Sequence, residues 1–268
     1  MGGEREAEVI ESIFVALDEG DPATALTLAR EALGGTGEED PVLRFLAGRA
    51  LLELDRPEES ARELLRSIAL DPDDPEFRAY AGWALFRACR FEEAARQLER
   101  PEGLAEAHYV RALLAERRGE TRAADREFER AAELAPEWFP RPTRFSDAEF
   151  ERQLLVAKAG LSAPFDEHLA RVDVIVDDLP PDALIFEETP PLDPEQLLGL
   201  FVGVPLDQQS SFSAGGELPP RIHLFKRNLE RYASSPDDLA EQIRVTLYHE
   251  LGHYLGMDEE DLEESGYA

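Results

Sequence analysis

The chain has a single cysteine, Cys89, in 268 residues. One thiol makes no internal disulfide, so nothing in the sequence calls for an oxidising compartment. Lysine is almost absent: Lys158 and Lys226 are the only two, and the arginine bias carries no functional reading. Positive charge of either kind is outnumbered, 28 basic residues against 58 acidic ones, for a net charge of -30. Such a surface repels phosphate backbones and anionic lipid heads, which leaves basic or unfolded proteins as the partners to expect. No apolar run approaches the ~20 residues that span a bilayer. The start, Met1-Gly2-Gly3-Glu4-Arg5-Glu6, is charged and leads into an amphipathic stretch, not an apolar signal core. These absences predict a cytoplasmic protein with neither membrane nor nucleic acid as partner.

What remains is a chain with 43% hydrophobic residues, enough for packed cores, and a length that favours two modest domains. Residues 1–136 read as helix after helix, rich in alanine, leucine, glutamate and arginine. Breakers punctuate them at Gly20-Asp21-Pro22, Gly34-Gly35, Asp71-Pro72-Asp73-Asp74-Pro75, Pro101-Glu102-Gly103 and Arg118-Gly119. Segments starting at Glu6, Pro41, Pro75 and Ala105 align with a period of roughly 34 residues, each with two helices and a tight turn. Gly48, Gly82 and Ala112 share one position in the first helix, and Ala25, Ser60, Ala94 and Ala124 share one in the second. Small residues there let two helices approach closely. In the shortened third unit Pro101 takes the last small position.

This pattern resembles the tetratricopeptide repeat family over about half the chain; the competing reading is an ordinary helical bundle with small residues at its crossings. The resemblance implies a concave groove for protein docking, lined by Phe45, Trp83, Phe86 and Tyr109. Alternatively, these aromatics pack against the chain's own segment Trp138-Phe139-Pro140-Arg141-Pro142.

After a linker at 137–144 the grammar changes to a small α+β domain at 145–268. A helix is predicted over 145–160, with Ser146 as N-cap and Glu149 three residues on. Strands are predicted at 172–176, 197–204 and 221–225, with a flexible loop at 209–216. Ser235-Pro236-Asp237-Asp238 opens a long helix: serine caps it, proline takes its first position and two acids complement its dipole. That helix is predicted to run to Gly256.

Inside it lies His249-Glu250-Leu251-Gly252-His253. A spacing of four places both imidazoles on one face, one turn apart, where a single zinc ion can take a nitrogen from each. Glu250 is offset by about 100° of helix rotation. It can then act as general base on a zinc-activated water without being a ligand, the chemistry of a metallopeptidase. Behind the motif, Ile243, Leu247, Leu251 and Leu255 form an apolar ridge that buries the opposite face. Gly252, costly inside a helix, suggests that something packs close. The bland alternative is a pair of histidines on a packed helix.

Zinc needs a third protein ligand. The fifteen residues after His253 are too few for a further ligand-bearing helix, and no methionine follows to make a Met-turn. Gly256 can turn the chain back toward the metal. Asp258 and Glu259 then compete: Asp258 suits the N-cap of a last short helix, whereas Glu259 has the ligand spacing and is favoured.

Residues from about 145 onward resemble the bacterial minimal zincins, small zinc metallopeptidases. The segments that carry this are Leu198-Gly199-Leu200-Phe201-Val202-Gly203-Val204-Pro205-Leu206, Leu218-Pro219-Pro220-Arg221-Ile222-His223-Leu224-Phe225, Arg227-Asn228-Leu229-Glu230 and the helix ending at Gly256. The resemblance implies zinc held by His249, His253 and Glu259, with Glu250 catalytic; Glu259 stands where the motif is usually written with aspartate. It also implies a substrate strand along a sheet edge near the helix, for which 221–225 is the candidate. His223 alternates with Ile222 and Leu224 and is read as a surface residue, with substrate binding as the alternative. His108 and His168 read as structural or surface. Three functions stay in view: a zinc peptidase whose repeats recruit a substrate or partner protein; a binding scaffold whose zincin-like domain has lost turnover; and a purely structural metal site, against which Glu250 argues.

Overall fold

The computed structural model describes residues 2–35, 39–100, 103–208 and 219–265. These fall into two compact units, Met1–Pro140 and Arg141–Ala268.

The first unit is a series of helical hairpins: α1 (Gly2–Asp18) and α2 (Pro22–Gly35), α3 (Pro41–Glu53) and α4 (Pro57–Leu70), α5 (Pro75–Arg87) and α6 (Phe91–Gln97), α7 (Ala105–Arg117) and α8 (Thr121–Leu134). Their starts follow local chemistry. Proline takes a first-turn position in α3, α4 and α5, and Asp40 and Asp74 cap α3 and α5 by accepting first-turn N–H bonds. The shared small residues mark the close crossings. A methyl on Gly48 would sit 2.5 Å from the Leu64 Cγ, and one on Gly82 would sit 2.9 Å from the Leu98 Cγ. Ser60 makes the approach polar as well as tight, donating to the Gly48 carbonyl at 2.7 Å. The short α6 matches the shortened third unit; Pro101 lies outside the described residues.

The aromatics divide differently from either reading. Phe45 and Phe86 are core residues at 2% exposure and line no groove. Trp83 and Tyr109 are partly buried and pack against Phe139, with ring centroids 5.7 and 4.9 Å away. Phe139 therefore covers two of the four, while its neighbour Trp138 stays 82% exposed.

The second unit runs α9 (Asp147–Ala159), α10 (Phe165–Leu169), β1 (Asp173–Asp177), α11 (Asp182–Ile185), β2 (Gly199–Val202), β3 (Arg221–Phe225), α12 (Lys226–Tyr232), α13 (Pro236–Leu255) and α14 (Glu259–Ser265). The sheet order is β1-β3-β2, with β1 parallel and β2 antiparallel to β3. The outer strands are displaced or shorter than predicted: the first starts at Asp173 and the second covers only 199–202. The loop at 209–216 lies outside the described residues. Alternation sends Ile222 and Leu224 into a core shared with Ile243, Leu247 and Leu251 of α13 and Phe150 and Leu154 of α9.

Ser146 and Glu149 form the expected capping box at the start of α9. A polar hub on α12 ties the layers together. The fully buried Glu230 carboxylate accepts from the Phe145 N–H at 3.0 Å, Arg144 at 3.1 Å and Arg227 at 2.9 Å. Unpaired, a carboxylate at that depth would be strongly destabilising; three donors offset its desolvation. No helix among the described residues is long and apolar enough to cross a membrane.

Candidate metal centre

The site is set on α13, whose ends are chemically fixed. Ser235 caps it, its side chain accepting from the Asp238 N–H at 3.1 Å, and Gly256 ends it with φ at 91°, a left-handed conformation that favours glycine. Ile243, Leu247 and Leu251 are fully buried, so the apolar ridge pins the helix rotation and turns the opposite face outward.

On that face the two imidazoles meet. Their Nε2 atoms are 3.1 Å apart, with the rings at 87°. The His253 Nδ1 lies 3.2 Å from the Met257 carbonyl, so it donates there and leaves Nε2 as the lone-pair nitrogen. Glu259, the first residue of α14, brings Oε1 to 3.4 Å from the His253 Nε2 and 3.8 Å from the His249 Nε2. Ligand atoms of the three residues all lie within 4.8 Å of one another. Zinc bonds of about 2.0–2.1 Å at tetrahedral angles hold neighbouring ligand atoms about 3.3–3.4 Å apart, so the donor set and its spacing fit that ion. Asp258 is engaged elsewhere: its Oδ1 accepts from the Asp261 N–H at 3.0 Å, and its own N–H donates to Asp261 at 3.2 Å. It opens α14 as a cap.

Glu250, next to His249 on the helix, reaches the sheet while lining the same cavity as that imidazole. It is only 6% exposed, and its Oε2 accepts from the Phe201 N–H at 2.6 Å. Burial pushes its carboxyl up to about 7; the Phe201 bond opposes that rise and the Glu259 charge adds to it. The Phe201 N–H is available because of register. Phe225 donates to the Leu198 carbonyl at 2.9 Å, so the bonded pairs continue as Leu200 with His223 and Val202 with Arg221. Gly199 and Phe201 therefore direct their backbone polar groups outward, along the edge of β2.

Two residues that matter here were not singled out in the sequence as site residues. Gly199 lets β2 lie against α13: a methyl there would meet the Thr246 Cγ2 at 2.5 Å and the Glu250 Cγ at 3.1 Å. Asn228 donates to the carbonyls of Pro194 at 3.0 Å and Leu197 at 2.6 Å, fixing the chain that enters β2. Between that entry and α13 is a cavity of about 260 Å³, lined by Leu197, Leu198, Gly199, Val245, Thr246, His249 and Glu250. A glycine in a strand and an asparagine in a short helix have many reasons to exist; only the fold shows these.

Two expectations are corrected. The strand at 221–225 is β3, paired on both sides, so neither of its edges is open to a substrate; β2 is the strand beside Glu250. His223 is neither a free surface residue nor a neighbour of the imidazole pair. It lies on the sheet face opposite to Ile222 and Leu224, which pack toward α13, and its Nδ1 is 2.7 Å from the Asp177 carboxylate. His108 is likewise paired, with Glu127 at 2.6 Å.

Residues 169–267 match the family model described as zincin-like metallopeptidase, and residues 16–79 match that of the tetratricopeptide repeat. No curated protein matches the chain. Among solved structures, one titled "Crystal structure of MamA" is similar over 45% of this chain and 72% of that chain, with 20% identity and a TM-score of 0.39. The chain thus pairs a stretch similar to tetratricopeptide repeats, which point to protein–protein interaction, with a stretch similar to the zincin-like metallopeptidases.

Proposed function

We propose that the second unit is a zinc-dependent peptidase, with His249, His253 and Glu259 as metal ligands, Glu250 as general base and the repeats recruiting the protein it acts on. The observation that supports this most is the convergence of two Nε2 atoms and one carboxylate oxygen within 4.8 Å, one helical position from a buried glutamate. Zinc held there by His249, His253 and Glu259 would supply a Lewis acid able to acidify water and polarise a carbonyl. Glu250, held near neutrality by burial, takes a proton from water and returns it to the leaving amine. The outward backbone groups of Gly199 and the Phe201 carbonyl pair with an extended peptide, the Phe201 N–H being held by Glu250, and this aligns the peptide's carbonyl with the helix. The cavity beside β2, walled by Leu197, Leu198 and Val245, receives one of that peptide's side chains.

The test is zinc content together with cleavage of unfolded protein and peptides, before and after Glu250→Gln. The expected result is one zinc per chain in both proteins and cleavage in the wild type alone. Zinc without cleavage in the wild type supports a binding scaffold instead. Absence of zinc under metal-replete conditions overturns the metal reading.

A further inference from the structure

The third ligand sits on a poorly anchored element. α14 is seven residues long and carries five acids, Glu259, Glu260, Asp261, Glu263 and Glu264. Their like charges favour extension away from the acidic surface rather than packing. Among its described side chains only Leu262 is buried, at 0% exposure. Leu262 enters a notch on α13 that exists because residue 252 is glycine: a methyl at Gly252 would overlap the Leu262 Cδ2. The notch lies on the metal face, three positions after His249 and one before His253. Gly256 makes the return turn, and the Met257 N–H donates back to the Gly252 carbonyl at 3.0 Å.

Resting on the zinc reading above, we infer that the Leu262–Gly252 contact is a positioning device that holds Glu259 at the imidazole pair. Leu262 and Gly252 touch no metal; they act through the placement of Glu259. This also accounts for the glycine inside the motif, since alanine would be the better helix former there by intrinsic propensity.

The experiment measures apparent zinc affinity of the full chain by competition with a chromophoric chelator. Its variants are Leu262→Ala, Gly252→Ala, the double variant and Leu262→Met, and the unfolding midpoint of each metal-free form is recorded alongside. Both single variants are expected to bind zinc about 10–100-fold more weakly, as loss of ligand-orienting groups does. The double variant is expected to be no weaker than the singles, because each already releases the same arm. Leu262→Met is expected to bind like the wild type, and the metal-free midpoints to change little. If Gly252→Ala lowers its metal-free midpoint, Leu262→Ala, near the end of the arm, decides alone. Wild-type affinity in Leu262→Ala, where Glu259→Ala binds weakly, overturns the inference and leaves the ligand assignment standing. Losses that multiply in the double variant overturn it too. A wild type that takes up no zinc removes both this inference and the reading beneath it.

Discussion

The two units bring their elements close by one device, a glycine that receives a neighbour's side chain, and put it to different uses. In the repeat array, glycine accommodates a neighbour's leucine for packing alone: Gly48 receives Leu64 and Gly82 receives Leu98, and the result is a continuous apolar core. In the second unit the same device recurs beside chemistry. Gly252 receives Leu262 next to the two histidines, and Gly199 brings β2 against Thr246 and Glu250. A small residue thus means the same thing sterically in both places, and only its neighbours say whether packing or a site depends on it.

The sharpest way to break that comparison is at the ligand. Glu259→Ala is expected to weaken zinc binding by more than about 100-fold, beyond the usual cost of losing an outer partner of a metal site. Asp258→Ala, which removes only a cap, is expected to change it far less. Equal losses, measured by chelator competition, would mean that the acid nearest the imidazoles is not the third ligand. In the array, Gly48→Val should overpack the Leu64 contact and cost about 1–3 kcal/mol. Denaturant unfolding would show this as a lowered array transition, with zinc affinity unchanged; a matching fall in affinity would mean that the two units do not behave separately.

A third contrast is in pH. Folding raises the Glu250 carboxyl from its ordinary value of 4.5 to about 7 through burial, so the metal-free fold favours the protonated acid. Its contribution to stability is fully present below about pH 4.5 and is lost as pH rises through about 7. Glu250→Gln, which stays neutral, should therefore stabilise the metal-free protein at pH 8 by up to about 3 kcal/mol relative to its effect at pH 4. A pH-independent difference between the two proteins would show that Glu250 is not desolvated.

What the sequence disclosed follows the range of the interactions involved. The helix bearing the motif was readable from Ser235 to Gly256 because capping, proline placement and the apolar ridge are all local, as was the capping box at Ser146. The repeat was readable because small residues recur at a fixed period. The strands blurred at their ends, since 197–204 is apolar throughout but only 199–202 pairs with β3. Strand order was hidden, because nothing along the chain tells a central strand from an edge, and with it the Asp177 partner of His223, although alternation did give the face that His223 occupies. The partners of Gly252 and Gly199 were hidden for the same reason: a glycine signals close approach without naming what approaches.

Zinc stoichiometry and ligand type, measured together by X-ray absorption on the full chain loaded with one equivalent of zinc, test the central assignment most directly. The expected result is one tightly held zinc with two imidazole nitrogens and oxygen ligands, and loss of the imidazole signal in His249→Ala and His253→Ala. Zinc bound through oxygen alone, or a spectrum that neither histidine variant alters, would contradict it.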